Sequence, residues 1–295
     1  MAEAQIVEPI GSAGTLRIRI ITPHSGLDAF SDAIQSLRTG FGQARRLAWR
    51  FFLRDTMAEH RQSVLGYFWL VFPALANTLT WVFLNQQQVI QIKTGAVPYP
   101  VFVLAGTILW SAFNGSLMAM LGIVGAARGL LAKVNFPREA LVYAAMLKSA
   151  VDATLASLLL LPALLIFKVG LHATLLLFPL ALLGALLLGS GLGLAALPLA
   201  ALYGDVGRAI QILLRFGFFL TPIVFALPIH GVARALMIAN PVTPIIVTGR
   251  AWLTGSGDAL LSGFVGVTLA SMVILSTALI FYKVALPYII ERVSG

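Results

Sequence analysis

Lys133-Val134-Asn135-Phe136-Pro137-Arg138-Glu139-Ala140-Leu141-Val142 is a short polar island between two long apolar runs. A proline pushes the residue before it out of helical geometry, so the chain turns at Phe136. Proline also suits the first position of a helix, which places Arg138 and Glu139 in the opening turn of the next one. Two readings fit a helix-flanked, charged loop of this length. It is either a capped turn joining two membrane spans or a surface on which another protein pushes.

The runs on either side identify the solvent. Of 295 residues, 59% are hydrophobic and only 11% charged, and the mean hydropathy is +0.93. Soluble domains carry about 25% charged residues. Apolar runs of twenty or more residues recur, each long enough to cross about 30 Å of hydrocarbon as a helix. Backbone groups in lipid must pair internally, and the ten-residue alternation of a transmembrane barrel is absent from the sequence. An all-α integral membrane protein is expected.

Outward from the island, the second span covers about 101–127 and the third about 139–167. Before them, Leu37, Phe41, Ala44, Ala48 and Phe51 recur at helical spacing, with Arg46, Arg50 and Arg54 on the other side. Residues 37–62 therefore read as a basic amphipathic helix lying on the membrane surface, apolar face down. Residues 1–36 form a mildly acidic tail, expected to be partly disordered, with no apolar core and cleavage site of a signal peptide. The first span is about 64–84, with Tyr67 and Trp69 suited to the interface. A fourth span is about 173–202 and carries Gly189-Ser190-Gly191-Leu192-Gly193, whose small residues let another helix approach closely. The fifth is about 209–227 and the last about 259–282.

Between these last two, residues 228–258 hold two apolar stretches too short to cross, interrupted by Pro228, Asn240-Pro241, Pro244 and Gly249. Two short helices that dip in and return fit this pattern, as does an ordinary extracytoplasmic loop. Six spans put both termini on one side. That side carries fourteen of the 20 Lys and Arg residues, the other side four, and two lie within spans. The bias places the termini and the Phe136-Pro137 loop in the cytoplasm. It also explains the net charge of +9 without nucleic acid.

Little in the chain promises catalysis. There are no cysteines, the four histidines are scattered, and no Walker-type glycine loop for ATP is present. No carboxylate or histidine constellation fits acid–base work or metal binding, so no cofactor is expected in this chain. Lys148 and Asp152, four apart in the third span, read as a paired structural couple or as part of a polar path. Arg215 in the fifth span has no acidic partner on its own helix, leaving Gln211, snorkelling, or Asp152 across helices. Aromatic residues cluster at Tyr67, Phe68, Trp69, Phe72 and Trp81, and again at Phe216, Phe218 and Phe219. These rings serve as packing or as faces on which sugars stack. A secondary transporter would show an internal repeat, which is not seen.

Several stretches in order resemble the membrane subunit of type-2 ABC exporters, nearest the polysaccharide (O-antigen) exporter permeases. They are Arg61-Gln62-Ser63-Val64-Leu65-Gly66-Tyr67-Phe68-Trp69, Lys133-Val134-Asn135-Phe136-Pro137-Arg138-Glu139, and Asp205-Val206 opening a span with Phe218-Phe219-Leu220-Thr221-Pro222-Ile223. Asn240-Pro241-Val242-Thr243-Pro244 and Gly249-Arg250 follow. Tyr203-Gly204-Asp205 departs from the arginine more usual before the aspartate. Teichoic acid and capsule exporters of the same superfamily are the nearest alternatives.

The resemblance implies a non-enzymatic permease in a bacterial inner membrane, working as a homodimer over two copies of an ATPase subunit that holds ATP and magnesium. Residues 63–295 would be the six-span domain. Residues 128–139, with Lys133, Phe136, Pro137, Arg138 and Glu139, would couple to the ATPase, and residues 228–258 would be re-entrant helices capping the exit. The cargo would be a polyprenyl-diphosphate-linked glycan. Its head group carries at least two negative charges, which Arg46, Arg50, Arg54 and Arg61 are expected to receive through bidentate guanidinium contacts.

Overall fold

The computed structural model describes residues 27–61, 65–66, 68–92, 94, 97–131, 136–257 and 259–294, and among these every regular element is helical. The helices are α1 (Leu27–Arg61), α2 (Phe68–Gln86), α3 (Tyr99–Leu131), α4 (Glu139–Ser157), α5 (Leu160–Ile166), α6 (Phe178–Leu202), α7 (Gly204–Phe219), α8 (Val232–Ala239), α9 (Val242–Thr254) and α10 (Leu261–Ser294). Five helical stretches are long and apolar enough to cross a membrane: Phe68–Gln86, Tyr99–Ala127, Glu139–Ile166, Ala173–Leu202 and Leu261–Leu286.

Two buried clusters divide the bundle into layers. One contains Val101 to Leu117 of α3, Leu160 and Leu164 of α5, Phe178 to Leu188 of α6, much of α9, and Phe264 of α10. The other contains Ala44, Ala48 and Phe51 of α1, Met120 to Ala127 of α3, Ala140 to Ala144 of α4, Leu194 and Leu197 of α6, and Ala278 to Leu286 of α10. α3, α6 and α10 each run from the first layer to the second, and the α4–α5 stretch runs back from the second to the first. The α1 end collects α1, the start of α4 and the far half of α10. The α9 end collects α8, α9 and the Ala173–Leu177 3-10 turn.

Local sequence explains where the helices bend and how closely they pack. Expected as one span, residues 139–167 contain a turn at Leu158-Leu159, where the Leu161 amide bonds back to the Leu158 carbonyl. Pro162 supplies the reason, because it has no amide N–H to donate to the Leu158 carbonyl four residues back. In α6, a β-carbon at Gly189 would strike Ser116 and the Phe113 carbonyl, and one at Gly193 would strike the Leu117 carbonyl and Met120. Both glycines let α3 approach closely, while Gly191, on another side, faces Ser271 and Leu275 of α10. The small-residue reading of 189–193 therefore holds on two faces.

Three expectations need correction. The amphipathic helix begins ten residues earlier than expected, so 27–36 of the tail are helical, while 1–26 lie outside the described residues. Its apolar stripe does not face lipid: Ala44, Ala48 and Phe51 are buried against α3, α4 and α10. The protein's own helices offer that stripe a partner, and among the described side chains of α1 the large hydrophobic residues that stay exposed are Phe41, Trp49 and Met57. Finally, the fifth run does not form a full-length helix. α7 has 16 residues, about 24 Å at 1.5 Å per residue, and unwinds at Leu220 into a buried turn ending at Ile223 and Val224. The expected pair of short helices in 228–258 is present as α8 and α9, bent by 91° at Asn240-Pro241.

Candidate functional site

α2 and α7 are sparsely embedded in the bundle. No α7 residue is buried, and 11% of the apolar window of α2 is buried against 78% for α3. Between them, over α3, lies an open cleft of about 740 Å³. Its rings are Trp81 of α2, Trp110 of α3, and Phe218 and Phe219 of α7. Its carboxamides are Asn77, Asn114 and Gln211, and its one charge is Arg215.

Short-range bonds fix the cleft wall. Trp81 Nε1 donates to Asn77 Oδ1 at 3.1 Å, and Asn77 Nδ2 donates to Thr107 Oγ1 at 3.2 Å. The Trp81 ring is thereby tied through α2 to α3. Trp110 meets Phe218 edge-on at 6.0 Å, and Phe218 meets Phe219 at 5.4 Å. Trp110 shares its α3 face with Asn114, four residues on, and the sequence reading missed both. That apolar run hides them because its composition is nearly uniform.

Depth gives the cleft its meaning. Asn77 is nine residues into α2, about 14 Å along the axis, and Arg215 is eleven into α7, about 17 Å. Measured from the helix starts, each distance is about half of a hydrocarbon layer about 30 Å thick. An arginine at that depth costs about 2.5–3.5 kcal/mol on insertion scales, so such residues face protein or water. Among the described residues Arg215 forms no ion pair. The expected cross-helix partner, Asp152, is taken by Lys148 at 2.9 Å within α4.

The other predicted aromatic residues stand apart from the cleft. Trp69 and Phe72 stack with Phe68 in an exposed cluster at the start of α2. Phe216 is exposed and outside the cleft. Tyr67 lies outside the described residues.

At the α1 end, Phe136 packs edge-on against Phe51 at 5.6 Å. Glu139 points inward rather than out: it is 4% exposed, and Lys283 Nζ of α10 donates to its Oε1 at 3.0 Å. The Tyr282 hydroxyl donates to the Arg138 carbonyl at 3.5 Å. A β-carbon at Gly40 of α1 would sit 3.6 Å from Glu139 Oε1. The expected coupling residue Glu139 thus ties α4 to α10, close beside Gly40 of α1. Pro137 and Arg138 remain half-buried at the turn, and Lys133 lies outside the described residues.

Arg46, Arg50 and Arg54 are exposed on α1, and Arg54 pairs with Asp55 at 2.7 Å over the Phe51 ring. The side chain of Arg61 lies outside the described residues. Arg54 and Lys148 both border a second cleft, of about 310 Å³, between α1, α3 and α4.

At the α9 end, three of the stretches quoted for the resemblance meet. Arg250 Nη2 donates to the carbonyls of Pro222 and Ile223 at 3.0 and 2.9 Å, and its guanidinium lies over the Phe102 ring, 3.4 Å from its centre. Asn240 Nδ2 donates to Thr221 Oγ1 at 2.7 Å. Arg250 thereby satisfies two carbonyls of the turn that follows α7, and Asn240 holds the hydroxyl at the start of that turn. Arg250 is 7% exposed, although charge counting treated it only as a loop residue.

Neither the protein-family models nor the curated proteins compared with this chain give a match.

Proposed function

We propose that this chain is the membrane subunit of an ATP-driven ABC exporter for a polyprenyl-diphosphate-linked polysaccharide, O-antigen-like, in a bacterial inner membrane. The observation that carries the reading is the mid-depth cleft between α2 and α7. Its rings offer sugar-stacking faces and its carboxamides offer hydroxyl partners. Its guanidinium would be costly against lipid. Two copies facing each other through these sparsely packed helices would enclose the cleft as a conduit.

The remaining roles follow from that arrangement. The termini and the α1 end face the cytoplasm, consistent with the excess of Lys and Arg there. Two ATPase subunits, holding ATP and magnesium, dock at the Phe136-Pro137-Arg138 turn. Arg46, Arg50, Arg54 and Arg61 meet the diphosphate head group near the cytoplasmic leaflet. The α8–α9 pair re-enters from the far side and caps the exit. No reaction is carried out by this chain.

The chain contains no cysteine, which makes the test direct. Thr80→Cys and Gln211→Cys place single thiols on the two walls of the cleft. Treated in native membranes with a bis-maleimide about 10 Å long, each is expected to yield a covalent dimer, and exposed Leu176→Cys is not. Monomer alone from both cleft variants would refute the shared conduit.

A further inference from the structure

The cleft holds one formal charge and no opposite charge. Its rings and carboxamides suffice to bind neutral sugars, so Arg215 needs a separate account. Arg215 lies eleven residues into α7, is exposed and borders the cleft, and has no ion-pair partner among the described residues. None of the residues lining the cleft is Asp or Glu. A guanidinium presents paired donors in a plane, which match a carboxylate or phosphate better than a hydroxyl. Trp81 and Trp110 stand beside it as platforms for a sugar ring.

We propose that Arg215 makes the cleft selective for an acidic saccharide, by pairing with an oxyanion on the sugar chain while the rings and carboxamides hold its neutral part. This rests on the conduit reading above and narrows its substrate class. Two sources supply such an oxyanion: the carboxylate of a uronic acid residue, and the phosphate of a diphosphate linkage. Both use the same donors on Arg215.

The full-length chain reconstituted in nanodiscs of neutral lipid provides the assay, with tryptophan fluorescence as the signal because Trp81 and Trp110 line the cleft. Three titrants are compared: oligogalacturonate, a malto-oligosaccharide of equal length, and inorganic pyrophosphate. Oligogalacturonate is expected to bind at least about tenfold more tightly than the neutral oligomer, in line with a charge-assisted hydrogen bond. Arg215→Gln is expected to remove that preference and leave neutral binding unchanged, and Arg215→Lys to keep part of it. Pyrophosphate binding that Arg215→Gln abolishes supports the oxyanion site and names a diphosphate linkage as its source.

Trp81→Phe with Trp110→Phe controls the signal, and loss of the fluorescence change in that variant ties it to the cleft. Equal affinity for the acidic and neutral oligomers, with no pyrophosphate binding, overturns the proposal and leaves the conduit reading standing. A preference that survives Arg215→Gln likewise overturns it. If no saccharide and no pyrophosphate binds, both the proposal and the saccharide conduit fail. Formation of the cross-linked dimer is scored independently of these titrations, so the two failures are told apart.

Discussion

Removing either partner of the Glu139–Lys283 pair has unequal consequences, because the two ends are unequally buried. The Glu139 side chain is 6% exposed and that of Lys283 is 24%. Breaking a fully buried pair costs about 3–5 kcal/mol, and an exposed pair is worth about 0–1 kcal/mol. Lys283→Met strands a carboxylate away from water between α4, α10 and α1. Allowing for the partial exposure of Lys283, we expect a loss of about 2–3 kcal/mol. Glu139→Gln leaves an ammonium whose long stem can carry it to solvent, at a cost of about 1 kcal/mol.

The double variant removes both charges, so it should resemble Glu139→Gln rather than the sum of the two changes. A double-mutant cycle should then give a coupling of about 2–3 kcal/mol. SDS titration of the purified chain in mild detergent micelles, followed by tryptophan fluorescence, measures each corner. Coupling below about 0.5 kcal/mol, the usual scatter for independent sites, would refute the reasoning. So would a larger loss for Glu139→Gln than for Lys283→Met. The cycle also bears on coupling to an ATPase: any variant at Glu139 perturbs packing, so loss of export there says nothing specific about docking.

Arg138→Ala keeps Glu139 and the backbone carbonyl that Tyr282 uses, so it is expected to insert and unfold like the parent. It should nevertheless uncouple ATP hydrolysis from export in the reconstituted complex, whereas normal export would make the turn a mere connection. Gly106→Ala would place a β-carbon 2.6 Å from Arg250 Nη2 and 2.8 Å from the Ile223 carbonyl. The loss expected in the same SDS titration is about 1–3 kcal/mol, typical of an overpacked core, and an unchanged midpoint would contradict this packing. Arg50→Lys, Arg54→Lys and Arg61→Lys keep the charge but lose the planar fork. If those arginines grip a diphosphate, ATPase stimulation by lipid-linked cargo falls in each variant, and stimulation equal to the parent in all three reduces them to surface anchors.

What could be read in the sequence differs by physical cause. Long apolar runs report their solvent directly, so the apolar stretches Phe68–Gln86, Tyr99–Ala127, Ala173–Leu202 and Leu261–Leu286 match the expected spans to within a few residues. Gly189, Gly191 and Gly193 likewise state that backbones approach, though not which helices come. The apolar stripe of α1 has the right period but carries no label for lipid or protein, and the helix turned it onto its own bundle. α7 was overextended because Leu220 to Ala226 remain apolar past the helix end, where the run folds into a buried turn. Glu139 looked like a surface residue because its partner, Lys283, is 144 positions away. Asp152 had two candidate cations, and the one in its own helix, four residues back, took it.

The distribution of polar ties argues for which helices move. At the α9 end, Arg250 and Asn240 fasten the turn after α7 to the short helices by bonds of 2.7–3.0 Å. At the α1 end, Lys283 and Tyr282 fasten α10 to the start of α4. α2 and the body of α7 are sparsely buried. Segments with few buried contacts open at the lowest free energy. α7 is thus anchored beyond its last turn and only lightly packed along its length, a geometry that lets it tilt about the Thr221-Pro222 turn while Arg250 holds that pivot. Such a tilt widens or narrows the one cleft that carries Arg215, Trp81 and Trp110, without disturbing either buried cluster. Weakening the pivot should therefore alter the cleft more than the fold. Arg250→Lys is expected to raise the accessibility of Gln211→Cys to an impermeant maleimide while α1–α4 contacts persist, and unchanged labelling would place the hinge elsewhere.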